Sequence, residues 1–167
     1  MPDLKLIALD ADDLHVISAH LQDAVLRVAD MTYLSREKRF VALSNRFDWV
    51  KAIDSQSAAN AKSGLERRRT ALRVERVLAA KIQGFDPNDK RATLSLLAVT
   101  FTPSSDVNSP DGDVTLTFSG GAAIRLTVEC LEAEMKDLGA AWSAKRSPAH
   151  PAAENQTTDD EGQNSKP

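Results

Sequence analysis

Two apolar half-alternations flank a pair of glycines late in the chain, and they constrain the fold more than any other segment. Val114, Leu116 and Phe118 alternate with Thr115 and Thr117, and Ile124, Leu126 and Val128 alternate with Arg125 and Thr127. A period of two marks strands with one buried face. Residues directly opposed in an antiparallel pair share a face of the sheet. A loop of Gly120-Gly121 alone would set Leu116 against Arg125 and mix core with solvent. A loop of Ser119-Gly120-Gly121 instead sets Phe118 against Ala122, Leu116 against Ile124 and Val114 against Leu126. The register therefore requires the longer loop, with a glycine supplying the left-handed residue.

Upstream, Leu4 to Leu9 is short, apolar and closed by Asp10, which predicts a strand. Asp10 is placed to cap a helix, with Asp12 and Asp13 in its first turn. Leu14, Ile17, Leu21, Ala24 and Val25 then recur on one helical face. Val28 to Leu34 and Arg39 to Trp49 read as paired strands, the second with Val41, Leu43, Phe47 and Trp49 on one side. Between Leu72 and Ile82 the apolar residues fall mainly on even positions, favouring a strand, although the spacing of Ala71, Val74 and Leu78 also fits a helix. Phe85 to Lys90 is a turn. Ala92 to Phe101 is a strand whose apolar parity switches near Leu96-Leu97, the mark of a bulge. After Glu129, the stripe Leu131, Met135 and Leu138, with Gly139 as C-cap, predicts a terminal helix. The order is strand, helix, two strands, linker, four-strand meander, helix. That is an α+β fold, a mainly antiparallel sheet or partly closed barrel with two helices. Its closing half has the plan of pleckstrin-homology-like barrels.

The chain has 167 residues, 42% apolar and 27% charged, with a formal net charge of -3. That length fits one domain with a tail, here 1–145 with an internal linker or mobile loop at 52–66. Residues 146–167 hold Pro148, Pro151, Pro167 and the run Asp159-Asp160-Glu161, and apart from these prolines no apolar side chain larger than alanine. Such a tail cannot bury enough surface to order itself. With the tail's acids set aside the body is almost neutral, which argues against a general nucleic-acid binder. No apolar run is long enough to cross a bilayer or form a signal peptide. A single cysteine, Cys130, leaves no internal disulfide or cysteine-cluster metal site. The expected setting is soluble and cytoplasmic, without membrane or cofactor.

Several segments carry a family resemblance. They are Leu4 to Asp10, Asn45-Arg46-Phe47-Asp48-Trp49, Glu75-Arg76-Val77-Leu78, and Gly120 to Leu126 continuing through Val128-Glu129-Cys130. Over roughly residues 3 to 142 the chain resembles a bacterial family of unknown function, confined to alphaproteobacteria. The resemblance implies a cytoplasmic protein and transfers no reaction or ligand.

Candidate chemistry is sparse. His15 and His20 are five apart, which turns them to different helix faces, whereas a metal-binding helix pair needs four. Cys130 has Glu129 and Glu132 beside it, which oppose a thiolate. Asp106, Asn108, Asp111 and Asp113 miss the spacing of a calcium loop. Lys62, Arg67, Arg68, Arg69, Arg73 and Arg76, against Glu66 and Glu75, form a basic cluster that reads either as a binding surface or as a charge-guarded strand edge. Arg46 and Asp48 share a strand face and are expected to pair beside Trp49. These residues suggest a non-catalytic binding or adaptor module, with a protein partner meeting the basic edge or a sheet edge. The alternative is a small-ligand sensor or enzyme whose site gathers Arg46, Asp48, Arg76, Arg125 and Glu129 from distant segments.

Overall fold

The computed structural model describes residues 3–48, 66–139 and 142–143. The chain runs β1 (Lys5–Ala8), α1 (Ala11–Leu21), β2 (Val25–Arg27), β3 (Met31–Leu34), β4 (Arg39–Phe47), β5 (Glu66–Glu75) and β6 (Val77–Gln83). It continues through β7 (Thr93–Pro103), β8 (Gly112–Phe118), β9 (Ala123–Val128), β10 (Ala133–Asp137) and β11 (Trp142–Ser143). All pairings are antiparallel and join the strands into one sheet, ordered β1-β10-β5-β4-β2-β7-β8-β9-β6, with β3 beside β4 and β11 beside β5. The path starts at β1 and stops at β6, so the sheet is not closed.

The glycine hairpin has the required register. Val114 faces Leu126 and Leu116 faces Ile124, while Phe118 N donates to Ala122 O at 2.9 Å. Gly120 and Gly121 both have positive φ. The β7 bulge falls at the expected place, where pairing with β8 shifts between Leu96 and Ala98. Just past it, the Val99 N–H finds Ser18 Oγ of α1 at 2.9 Å. Asp10 caps α1 by accepting Asp13 N at 2.8 Å, and Asp13 accepts Leu9 N in return at 3.1 Å. Leu14, Ile17 and Leu21 enter the core, which β4 to β10 complete.

Five expectations need correction. α1 ends at Leu21, so Ala24 and Val25 lie beyond the helix and Val25 opens the strand β2. The terminal helix is the strand β10, held by β1 on one side and β5 on the other. Its governing pattern is Ala133, Met135 and Asp137, all inward, and the apparent helical residue Leu138 lies exposed. One helix of more than a single 3₁₀ turn thus remains among the described residues, and the likeness to pleckstrin-homology-like barrels loses its closing helix. In β4 the inward parity is Phe40, Ala42, Ser44, Arg46 and Asp48 rather than Val41, Leu43 and Phe47. Trp49 lies outside the described residues, as do the tail and all of the expected linker but Glu66. The segment from Val28 opens with a 3₁₀ turn before β3. The long strand across 70–83 is extended, not helical, but it breaks at Arg76, whose φ of 60° turns the corner from β5 to β6.

Gly84, at φ 78°, is pressed against the same hairpin: a Cβ there would sit 2.4 Å from Gly121 O. A Cβ at Gly120 would meet open space. Gly84→Ala is therefore expected to destabilise by more than Gly120→Ala, which bears only the left-handed penalty of about 1–2 kcal/mol. Urea unfolding of the two variants checks the order.

Candidate functional site

Alternation along β4 and β5 sorts the candidate residues onto two faces. Arg46, Asp48 and Arg68 point inward and are buried, while Arg67, Arg69 and Arg73 point outward. The inward group meets Asp137 of β10 across the sheet. Arg46 forms a two-pronged ion pair with it, Nε to Oδ1 at 3.0 Å and Nη2 to Oδ2 at 2.9 Å. Thr70 Oγ1 donates to the same carboxylate at 2.7 Å and Leu4 N at 3.2 Å. Arg68 reaches Asp48 at 3.4 Å and Asp3 at 3.3 Å. The same-strand pair expected between Arg46 and Asp48 is thus replaced by cross-strand partners.

Burial alone would raise the Asp137 carboxyl. The Arg46 and Thr70 hydrogen bonds, the Arg46 charge and the Leu4 amide outweigh it and hold that group below the usual carboxylate range. His20, on the last turn of α1, is lowered first by burial and then by the Arg46 charge, against the opposing pull of Asp137 and Asp48. A carboxylate with four donors on its two oxygens has no lone pair left for proton abstraction. The cluster is built to hold the fold, by tying β4, β5, β10 and the residues before β1 together.

Most of the basic cluster is paired rather than open, Arg67 excepted, whose Nε is buried without a hydrogen-bond partner. Arg67 stacks on Phe47, 4.7 Å from the ring centre. Arg69 reaches Asn45 at 3.4 Å and Asp30 at 3.9 Å. Arg73 lies 2.7 Å from Glu134, and Arg76 3.2 Å from Glu132. Nor is this segment an edge, because β5 lies between β4 and β10. Lys62 lies outside the described residues. Arg76 and Glu129, 3.9 Å apart on the surface, and Arg125, on the outward face of β9, stay away from the Arg46 cluster. In the loop after β7, Ser104 and Ser109 both donate to Asp111, lowering its carboxyl, and Asp106 accepts Asn108 N.

Periodicity did not signal the feature that is open. Where the sheet stops, β3 and β6 flank an apolar pocket of about 90 Å³. Met31, Tyr33 and Phe40 line one side, Ala80, Ile82 and Ile124 the other, and Phe85 caps it. The seam is pinned at one end, where Tyr33 Oη donates to Val77 O at 3.1 Å and Val77 N to Lys38 O at 2.9 Å. Beyond that pin β6 has no strand on its outer edge among the described residues. Its Leu78 and Ile82 are 50% and 45% exposed, and Leu34 at the end of β3 is also exposed. Phe85 packs edge-on against core residue Phe118, with the ring centroids 6.3 Å apart. An unpaired strand edge beside an apolar hollow offers backbone hydrogen bonds and side-chain sockets to an extended chain.

The model of a family described as a protein of unknown function, DUF2948, matches residues 4–150. No curated protein and no solved structure matches the chain.

Asp137→Ala would strand Arg46 in the core and is expected to cost about 3–5 kcal/mol in urea unfolding. Lys5→Ala, breaking the exposed 3.2 Å pair with Glu134, is expected to cost under about 1 kcal/mol. Acid acts through His20 as well. Its folded form disfavours the imidazolium, so its contribution to stability is complete above about pH 6.5 and falls as pH drops through that value. The Asp137 contribution follows, lost below about pH 4. Unfolding midpoints between pH 7.5 and 5 are expected to decline less steeply in His20→Gln than in the parent chain.

Proposed function

This chain belongs to the DUF2948 family of unknown function, and from its geometry we propose that it is a non-catalytic binding module that takes up an extended segment of a partner protein along β6. The observation that carries this reading is the outer edge of β6 beside the apolar pocket, which beyond Val77 has no strand paired to it among the described residues. A segment added there would satisfy edge N–H and C=O groups and place alternate side chains over Tyr33, Phe40 and Ile82. The closed polar cluster supports the reading from the other side, since its titratable groups already hold each other. The alternative of an enzyme or small-ligand sensor draws less support, because Arg46 and Asp48, Arg76 and Glu129, and Arg125 sit in three separate places. We further place the module in the bacterial cytoplasm, as one domain over 1–145 followed by a solvated tail.

The test uses the full chain and a displayed library of random linear peptides. Selected peptides are expected to slow amide exchange within 77–83. Ile82→Glu is expected to weaken them at least about tenfold, ~1.4 kcal/mol, whereas Ile7→Glu on the opposite edge strand β1 leaves them unchanged. Failure to select any peptide, or protection confined to other strands, would remove the reading.

A further inference from the structure

The outward face beside β6 carries a feature independent of the pocket. Lys81 stands directly opposite Arg125 of β9, and Arg125 is in turn opposite Thr115 of β8. Like charges set against each other across a strand pair repel, so this pairing costs stability unless an anion answers it. Neither cation has a hydrogen bond or ion pair among the described residues. Asp113, diagonal to Arg125 on β8, is engaged instead by Thr127 Oγ1 at 3.1 Å. In the neighbouring loop Asp86 and Asp89 are equal in number to Lys90 and Arg91. Lys81 and Arg125 therefore have no acidic group in contact with them among the described residues, and with Gln83 and Thr115 they line a surface hollow.

Resting on the strand-addition reading, the charge pattern then sets the partner's chemistry. Successive side chains of an added strand point to opposite faces of the sheet. Those turned inward enter the apolar pocket. Those turned outward come alongside Lys81, with Arg125 one further strand away, about 5 Å on. We infer that the occupant of the β6 edge is an extended acidic peptide segment, apolar at alternate positions and carrying aspartate or glutamate between them. A second copy of this chain fits poorly, because antiparallel pairing of two β6 edges centred on Lys81 brings the two lysines together, a recognised guard against self-pairing.

The probes are labelled seven-residue peptides, matched to the length of β6, alternating valine with glutamate, glutamine or lysine. Each is first checked as a monomer by sedimentation. The glutamate peptide is expected to bind at least about tenfold more tightly than the lysine peptide, with affinity falling as salt rises. Lys81→Glu and Arg125→Glu, both at exposed positions, are expected to invert that order, while Ile82→Glu weakens all three peptides. Equal binding of the three, with protection of 77–83, would overturn the acidic preference and leave strand addition standing. Binding of none of them, with no library peptide selected either, would overturn both. Preferential uptake of a single-stranded oligonucleotide, indifferent to Ile82→Glu, would overturn the peptide assignment in favour of a nucleic acid.

Discussion

The Arg46–Asp137 pair is the interaction on which the first half of the sheet depends. It joins β4 to β10 across β5, which separates them. Thr70 supplies the middle strand's contribution and Leu4 anchors the residues entering β1. Two charges in an interior are expensive to desolvate, and the expense is met only when the geometry is good and the remaining lone pairs are filled. Here both conditions hold: the fork is two-pronged and the carboxylate takes two further donors. The arrangement also explains the parity of β4. Its inward face carries Ser44, Arg46 and Asp48 because β5 and β10 bring Thr70, Arg68 and Asp137 to meet them. The outward face is in turn covered by arginine stems, as where Arg67 lies over Phe47.

The second half depends on a backbone device. Arg76 takes a left-handed conformation between β5 and β6, so one run of chain serves two parts of the sheet: β5 beside β4 and β10, β6 beside β9. A non-glycine residue there is strained. Its neighbours over-determine it, since Glu75 N and Glu129 N bond Glu132 O and Arg76 O, and Val77 N bonds Lys38 O. The turn carries β6 toward β3 without pairing the two. The seam follows from that geometry.

These two devices explain what could be read from residues alone. The hairpin at Gly120-Gly121, the Asp10 cap and the Leu96-Leu97 bulge are local rules, each decided within a few residues of chain. The β10 segment is ambiguous in sequence because Leu131, Met135 and Leu138 also fit a helix, and only β1 and β5, distant in sequence, decide between the two periods. Arg46 and Asp48 stood out as a polar pair on one face, but their partners Asp137 and Arg68 lie on other strands, and no pattern within β4 announces them. The basic cluster is ambiguous in sequence for the same reason: Arg76, Arg73 and Arg69 are paired by Glu132, Glu134 and Asp30 from elsewhere in the chain. The pocket left no periodic trace at all, because its walls are mainly ordinary inward residues of β3, β4, β6 and β9 and it exists only where β3 and β6 fail to meet.

A sheet that wraps its own core gains most by closing, since closure satisfies both edges. This one stops short while holding the means to stop elsewhere closed: Tyr33 bridges to Val77, Phe85 is locked against Phe118, and the ion pair fixes the opposite half. The open stretch is thus bounded by specific contacts, Tyr33 and Lys38 with Val77 at one end and Phe85 with Phe118 beside it. Aliphatic side chains remain exposed on it, and its lysine faces an arginine, neither of them in an ion pair among the described residues. Each of these is unfavourable for the isolated chain, and each is relieved by the same event, the arrival of an extended segment with apolar residues turned inward and acids turned outward. Sharing one remedy is what ties the apolar seam and the cationic face into a single surface.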